Sequence, residues 1–335
     1  MKKSILFLLA LLLLVTSPCY ADSPVTSTSF SDAYLDVEIV KTAANSRTVD
    51  QQIAAYLKDK SNPIDVKAAV INALGPDIDE AYNNPEIYSK LIYGKSVADL
   101  NLNELSGDEL FCLGYLLAMD DYFDTQAAAD MLGQAKSKLK DSYTVAMVAG
   151  IVYTQGLEVE QWEDVWNIPA AVIKDKSLKM DMRPEAAAII VDYMSLYSNK
   201  PVINPYWEQN TIYLQIGNPY MYVNDIEYEL DYNRGTQPEI KAGRTYLPIA
   251  PLIEALGGTV NWNNQQKKVT ITLGNDTIEL QIGNKQAIVN GVAKSLEVAP
   301  YISNGRTMLP LRFVIENLGL TVEWDQQSQE IIILV

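Results

Sequence analysis

Apolar residues recur along this chain with two different periods. From about Ser31 to Ser198 the spacing is helical. In SNPIDVKAAVINALG the positions Val66, Ala69, Val70, Ala73 and Leu74 fall on one helical face. Ser61 or Asn62 is placed to cap that helix, Pro63 suits its first turn, and Gly75 suits its end. The same pattern predicts helices over SGDELFCLGYLLAMDDY, with Ser106 as the cap, and over DTQAAADMLGQAKSKLKD and SYTVAMVAGIVYTQG. RPEAAAIIVDYMSLY closes the region, with Pro184 near its start. Helices of this length joined by short loops read as helical hairpins. The stretch from Leu113 to Gly150 has loosely tetratricopeptide-like spacing, with small Gly114, Ala128 and Ala135 where two helices would approach closely. An irregular helical bundle satisfies the same pattern.

The helical period stops at SNKPVINPYWEQN, where Pro201, Pro205 and several Asn residues break it. Residues 199–210 are therefore expected as a linker, with Tyr206 and Trp207 packing it against a domain. Beyond Asn210 the chain repeats itself. LQIGN begins at Leu214 and again at Leu280, and GRTYLPIAPLIEALGGTVNWNNQQKKVTITL aligns without gaps to GRTMLPLRFVIENLGLTVEWDQQSQEIIILV. The copies span 211–273 and 277–335. In each, Pro248 or Pro310 opens a short helix. Ile249, Leu252, Ile253 and Leu256 then make one buried face, as do Leu311, Val314, Ile315 and Leu318. Gly257 and Gly319 sit where such a helix ends with positive φ. Val260 alternates with Trp262, and Val322 with Trp324, as on one side of a strand. These tryptophans are expected as core anchors of their copies; the other role open to them is a ligand platform. Val269, Ile271 and Leu273 face inward in the first copy, and Ile331, Ile333 and Val335 in the second. That leaves Ile332 and Leu334 on an outer face expected to be covered.

The sequence Gly-Arg-Thr-x-Leu-Pro, a short helix ending in Leu-Gly, Thr-Val-x-Trp-(Asn/Asp) and an alternating strand resembles the copper amine oxidase N-terminal-like domain, also called the stalk domain. The resemblance runs from about Thr211 to Val335 and covers both copies. It implies a non-catalytic appendage of the kind found in secreted and cell-surface proteins of Gram-positive bacteria. That family commonly has Arg after Leu-Pro-x; Arg312 matches and Ala250 does not. Copper oxidation is not implied, because the His ligands and the catalytic domain of those oxidases are absent.

Composition narrows the remaining chemistry. A formal charge of −16 disfavours nucleic acid and anionic membrane surfaces as partners. The chain has no histidine, which removes the commonest general base, His-paired nucleophiles and His-ligated metals. Lys2 and Lys3 followed by the apolar run Ile5–Val15 read as a signal peptide, residues 1–21, with Cys19 and Ala21 at the small-residue positions. Residues 22–30 are expected as a linker and 31–198 as the helical domain. With Cys19 removed, Cys112 is a buried free thiol, and no transmembrane anchor is expected in the mature chain.

Carboxylates are the one remaining catalytic option. Asp120, Asp121 and Asp124 cluster after a helix, and Glu158, Glu160, Glu163 and Asp164 precede Trp166. A pair of them could hydrolyse a glycoside, although acids at helix ends are ordinarily solvated. The loop beginning at Asp77 fails as a calcium loop at Tyr82 and Tyr88. Glu227, Glu229 and Asp231 fall on one strand face and could weakly gather a divalent ion. The sequence thus predicts a multidomain protein, an all-α domain followed by an α+β tandem stalk-type module. It is expected to be secreted or cell-surface associated and non-enzymatic, with no catalytic, metal or cofactor residues, and to bind a protein or cell-wall component. The alternative is a carboxylate-dependent cell-wall or glycan hydrolase in the helical domain.

Overall fold

The computed structural model describes residues 23–77, 82–157, 161–231 and 234–335, and only the backbone of Trp162. The expected signal peptide, Cys19, Glu158 and Glu160 lie outside the described residues. The N-terminal part is helical: α1 (Glu38–Ser46), α2 (Gln51–Lys58), α3 (Ile64–Leu74), α4 (Asn84–Tyr93), α5 (Gly107–Asp120), α6 (Gln126–Lys138), α7 (Tyr143–Gln155), α8 (Trp162–Lys174) and α9 (Pro184–Ser195). Helices α3, α5 and α7 are apolar and buried around most of their circumference, so they form the centre of this domain. Pro63 stands one position before α3, and Gly75 ends it at φ +72°. Ser142 caps α7 by accepting from the Val145 amide at 3.1 Å. Small residues set one helix contact. A methyl group at Gly114 would lie 3.0 Å from Leu132 Cγ and 3.2 Å from the Ala128 carbonyl, so α5 and α6 meet there almost backbone to backbone.

Residues 23–30, expected as a linker, instead pack on this domain. Val25 and Phe30 enter its core, and the Thr28 carbonyl accepts from Asn72 Nδ2 at 2.9 Å. The core also carries paired charge. Lys67 is fully buried and donates to Asp108 at 2.6 Å. Unpaired, such a charge would cost several kcal/mol, roughly 3–5 when one partner is removed. Glu109 starts α5 in a capping box: its Oε2 accepts from the Ser106 amide at 2.9 Å, and its Oε1 from Lys58. Burial alone would raise its pKa, but donation from Lys58 and Ser106 overrides this and holds it at about 2.

The C-terminal part contains β1 (Thr211–Gln215), β2 (Tyr220–Val223), β3 (Ile226–Glu229), β4 (Glu239–Lys241), β5 (Arg244–Pro248), α10 (Ile249–Ala255), β6 (Thr259–Asn263) and β7 (Lys268–Leu273). The second copy repeats the order as β8 (Asp276–Gln281), β9 (Gln286–Val289), β10 (Val292–Ser295), β11 (Tyr301–Ser303), β12 (Arg306–Pro310), α11 (Leu311–Asn317), β13 (Thr321–Asp325) and β14 (Glu330–Leu334). The copies do not close as separate units. One sheet has the order β13-β14-β1-β2-β3 and another β10-β9-β8-β7-β6, so each takes three strands from one copy and two from the other. A third sheet, β11-β12-β5-β4, joins the copies at its middle, where Leu247 pairs with its own counterpart Leu309. That self-pairing marks an internal pseudo-two-fold.

One core results. Leu214 of β1 faces Ile331 of β14 in register, and Leu280 of β8 faces Val269 of β7. The buried faces of α10 and α11, with Leu252, Ile253, Val314 and Ile315, join the same core. The apolar terminal strand is explained by its position. β14 is interior to its sheet, and Ile332 is half-buried beside Tyr213 of β1 and Glu323 of β13. In the other sheet, Thr270 is beside Glu279.

The linker is an ordered joint. Asn204 Nδ2 donates to the Ala188 carbonyl of α9 at 2.9 Å, and its backbone amide donates to Asn210 Oδ1 at 2.9 Å. Asn210 in turn exchanges backbone hydrogen bonds with Val335 at 3.0 and 2.9 Å. Tyr206 donates to the Tyr143 hydroxyl at 2.9 Å and Trp207 Nε1 to Asp192 at 3.0 Å, so both aromatics pack the linker on the helical domain.

Two outcomes follow. Ile271→Ala and Ile333→Ala lie in different copies, yet each should destabilise the whole C-terminal module by about 2–5 kcal/mol in a single transition. Denaturant curves followed by tryptophan fluorescence will show this; two separated transitions would contradict it. Glu109 has a depressed folded pKa, so its contribution is complete above its ordinary value of 4.5 and is lost as pH falls toward about 2. Glu109→Gln should therefore flatten the pH dependence of helical-domain stability in that acid window, measured by urea unfolding at stepped pH.

Candidate functional site

The described carboxylates expected as catalytic candidates lie at or next to helix ends. Asp121 accepts from the backbone amides of Phe123 and Asp124 at 3.1 Å, which closes the turn after α5. Asp120 is half-buried at the end of that helix, and Asp124 is exposed. Glu163 and Asp164 are exposed in the first turn of α8, where acids favour the helix dipole. Asp77 is buried and accepts from the Tyr82 and Asn83 amides at 2.7 and 3.1 Å, a loop cap in place of a calcium ligand. Cys112 is fully buried, and burial pushes its thiol up to about 12. Among the described residues no group of three His, Cys, Asp or Glu side chains gathers, and no helix is long and apolar enough to cross a membrane.

The acidic face expected on β3 is split. Glu227 and Glu229 point to solvent, but Asp231 is buried. It accepts from Arg306 Nε at 2.8 Å and from Thr236 Oγ1 at 2.6 Å. Arg306 is the arginine of the second Gly-Arg-Thr motif. Donation from its guanidinium holds the Asp231 carboxyl below the usual carboxylate range against the opposing effect of burial. The first motif repeats the arrangement, with Arg244 on Glu297, although that pair is exposed. Each arginine thus meets an acid from the other copy. A sequence signal for this existed: Asp231 follows Leu214 by the same interval as Glu297 follows Leu280.

Trp262 and Trp324 are not core anchors. They remain 41% and 36% exposed. The reason is their strands: β6 and β13 are sheet edges, so one face of each projects past the core. Each indole forms a wall of a groove whose opposite wall belongs to the other copy. In the first groove Trp262 and Val260 face Ile302 and Arg306, with α10 at the base and a volume of about 670 Å³. In the second, Trp324 and Val322 face Ile240 and Arg244, with α11 at the base and a volume of about 820 Å³. Both volumes fall within the usual ~300–1,000 Å³ of ligand clefts. Lys267 Nζ lies 6.0 Å from the Trp262 ring and donates to Asn264 Oδ1 at 2.8 Å. Arg312 lines the second groove and reaches Glu316 at 3.4 Å, whereas Ala250 holds its place in the first.

Because the indoles are groove walls, Trp262→Ala and Trp324→Ala should each cost about 1 kcal/mol or less, well under the roughly 3–5 of a buried tryptophan. Arg306→Ala should cost more, about 1.5–3 kcal/mol, because it leaves Asp231 buried without its charged donor. Arg244→Ala, facing an exposed acid, should leave the unfolding midpoint nearly unchanged. Chemical denaturation of the four variants gives the ranking.

No curated protein and no solved structure matches the chain. Residues 232–333 match the family model described as the copper amine oxidase N-terminal domain, a single match that runs across both sequence copies. The donor set here does not suit copper, since the chain has no histidine and its described cysteine is buried. The C-terminal module, with its crossed arginine pairs and twin grooves, thus contains a copper amine oxidase N-terminal-like domain.

Proposed function

We propose that this is a secreted or cell-surface, non-catalytic protein in which a helical interaction domain is carried by the stalk-type module, and that the module docks on a protein or cell-wall component. One observation carries the reading: both copies keep a tryptophan exposed in a cleft. An indole is among the costliest side chains to leave in water and supplies large contact area when covered. Scattered exposed apolar residues are normal; two at matched positions, each framed by the same arginine, helix and isoleucine, make a repeated site. The Asn204–Asn210 joint ties the linker to α9, so the module is carried on the helical domain through an ordered connection. Export is supported by Lys2, Lys3 and the apolar run Ile5–Val15.

The test is retention. Mature full-length protein should begin at Asp22 by N-terminal mass analysis and sediment with the insoluble envelope of its own cells. The Trp262→Ala/Trp324→Ala double variant, folded by circular dichroism, should stay in the supernatant. Equal sedimentation of the double variant and the parent would overturn the docking role, and lipid-modified Cys19 at the mature N-terminus would overturn simple secretion.

A further inference from the structure

The chemistry of the grooves narrows what they hold. Their charges are largely cancelled before any ligand arrives. In the first, Arg306 is paired with Asp231, and Lys267 and Glu254 line the groove with opposite charges. In the second, Arg244 is paired with Glu297 and Arg312 with Glu316, which leaves Glu323 in excess. An anionic ligand would meet arginines already paired in both grooves and, in the second, the excess Glu323. A cationic ligand would compete with Lys267 over the Trp262 ring in the first groove, so a ligand common to both grooves is not a cation. What remains is an aromatic face beside uncharged groups. Asn264 and Thr307 line the first groove, and Thr245, Ser295 and Gln326 line the second. Amides and hydroxyls both donate and accept, so they suit a ligand whose own polar groups do both. A ligand that is neutral, rich in hydroxyls and apolar on one flat face matches that surface.

We infer that the twin grooves are equivalent subsites for a neutral oligosaccharide, with Trp262 and Trp324 each stacked on the apolar face of one sugar ring. This rests on the docking role proposed above and names its ligand class. The pseudo-two-fold makes the chain bivalent. One polysaccharide strand, or two neighbouring strands, engages both grooves, and the second contact is then intramolecular. Differences in the polar lining, Ala250 against Arg312 and Lys267 against Gln329, give the subsites unequal affinity without changing the stacking platform.

Mature full-length protein is titrated with cellohexaose, xylohexaose and chitohexaose by calorimetry and tryptophan fluorescence. At least one should saturate two sites and perturb indole emission. Trp262→Ala and Trp324→Ala should each remove one site, and Trp→Tyr at the same positions should restore it. The double Ala variant should bind about tenfold more weakly or worse. In parallel, envelope fractions are treated with periodate, which cleaves sugar diols, or with protease. Retention lost to periodate and kept after protease supports the inference. No saturable binding of any hexaose, with tryptophan-dependent retention lost to protease and kept after periodate, overturns it in favour of a protein ligand and leaves the docking role standing. Retention that ignores both tryptophans overturns the docking role itself.

Discussion

Each five-stranded sheet of the C-terminal module is completed by two strands from the other sequence copy, and the remaining features of the module depend on that exchange. The last strand of the chain pairs with the first strand of the module, and β7 pairs with β8 at the centre of the opposite sheet. A two-stranded hairpin such as β6–β7 or β13–β14 is marginal by itself in water. The exchange instead lets Ile212, Leu214, Ile331 and Ile333 share one interior with their counterparts. It also solves the exposure of the aliphatic terminus. As an edge, the run EIIILV would be an aggregation template; as an interior strand it is flanked on both sides.

The grooves are a consequence of the same closure. Exchanging strands leaves β6 and β13 as edges and brings the Gly-Arg-Thr hairpin of the opposite copy across from each tryptophan. Arg306 with Asp231, and Arg244 with Glu297, then tie the walls together across the pseudo-two-fold. The two ion pairs differ in burial, so the first holds its groove against solvent more firmly than the second. The six-residue motif therefore serves as architecture: its arginine fixes the groove, and its Leu-Pro launches the helix at the groove base.

Local structure was legible in the sequence because it follows from local rules. The helix after Leu-Pro, its buried face and the positive φ of Gly257 and Gly319 were all set by spacing and glycine chemistry. So were the close approach at Gly114 and the packing of Tyr206 and Trp207 on the linker. Two things were not legible. Strand alternation says which side chains share a face, but it does not say which partner lies beside the strand. With two copies of similar pattern, β14 could satisfy its alternation against either β8 or β1. The same limit misplaced the tryptophans, since Val-x-Trp reads identically on an interior strand and on an edge that overhangs the core. The linker at 23–30 was misread for a different reason. Its small polar residues look like loop, yet Thr28 meets the buried Asn72 and Val25 fills the helical core.

Native-state hydrogen exchange tests the closure most directly. Deuterium uptake of the full chain, followed by mass spectrometry across increasing urea, reports when each strand opens. If the exchanged strands form one cooperative body, amides of β1 and β14 at the chain-wide pairing and of β7 and β8 at the central hairpin will open together at a single free energy. If β1 opens at low urea while β8 to β14 stay protected, the second copy holds itself together, and the twin grooves are not a product of strand exchange.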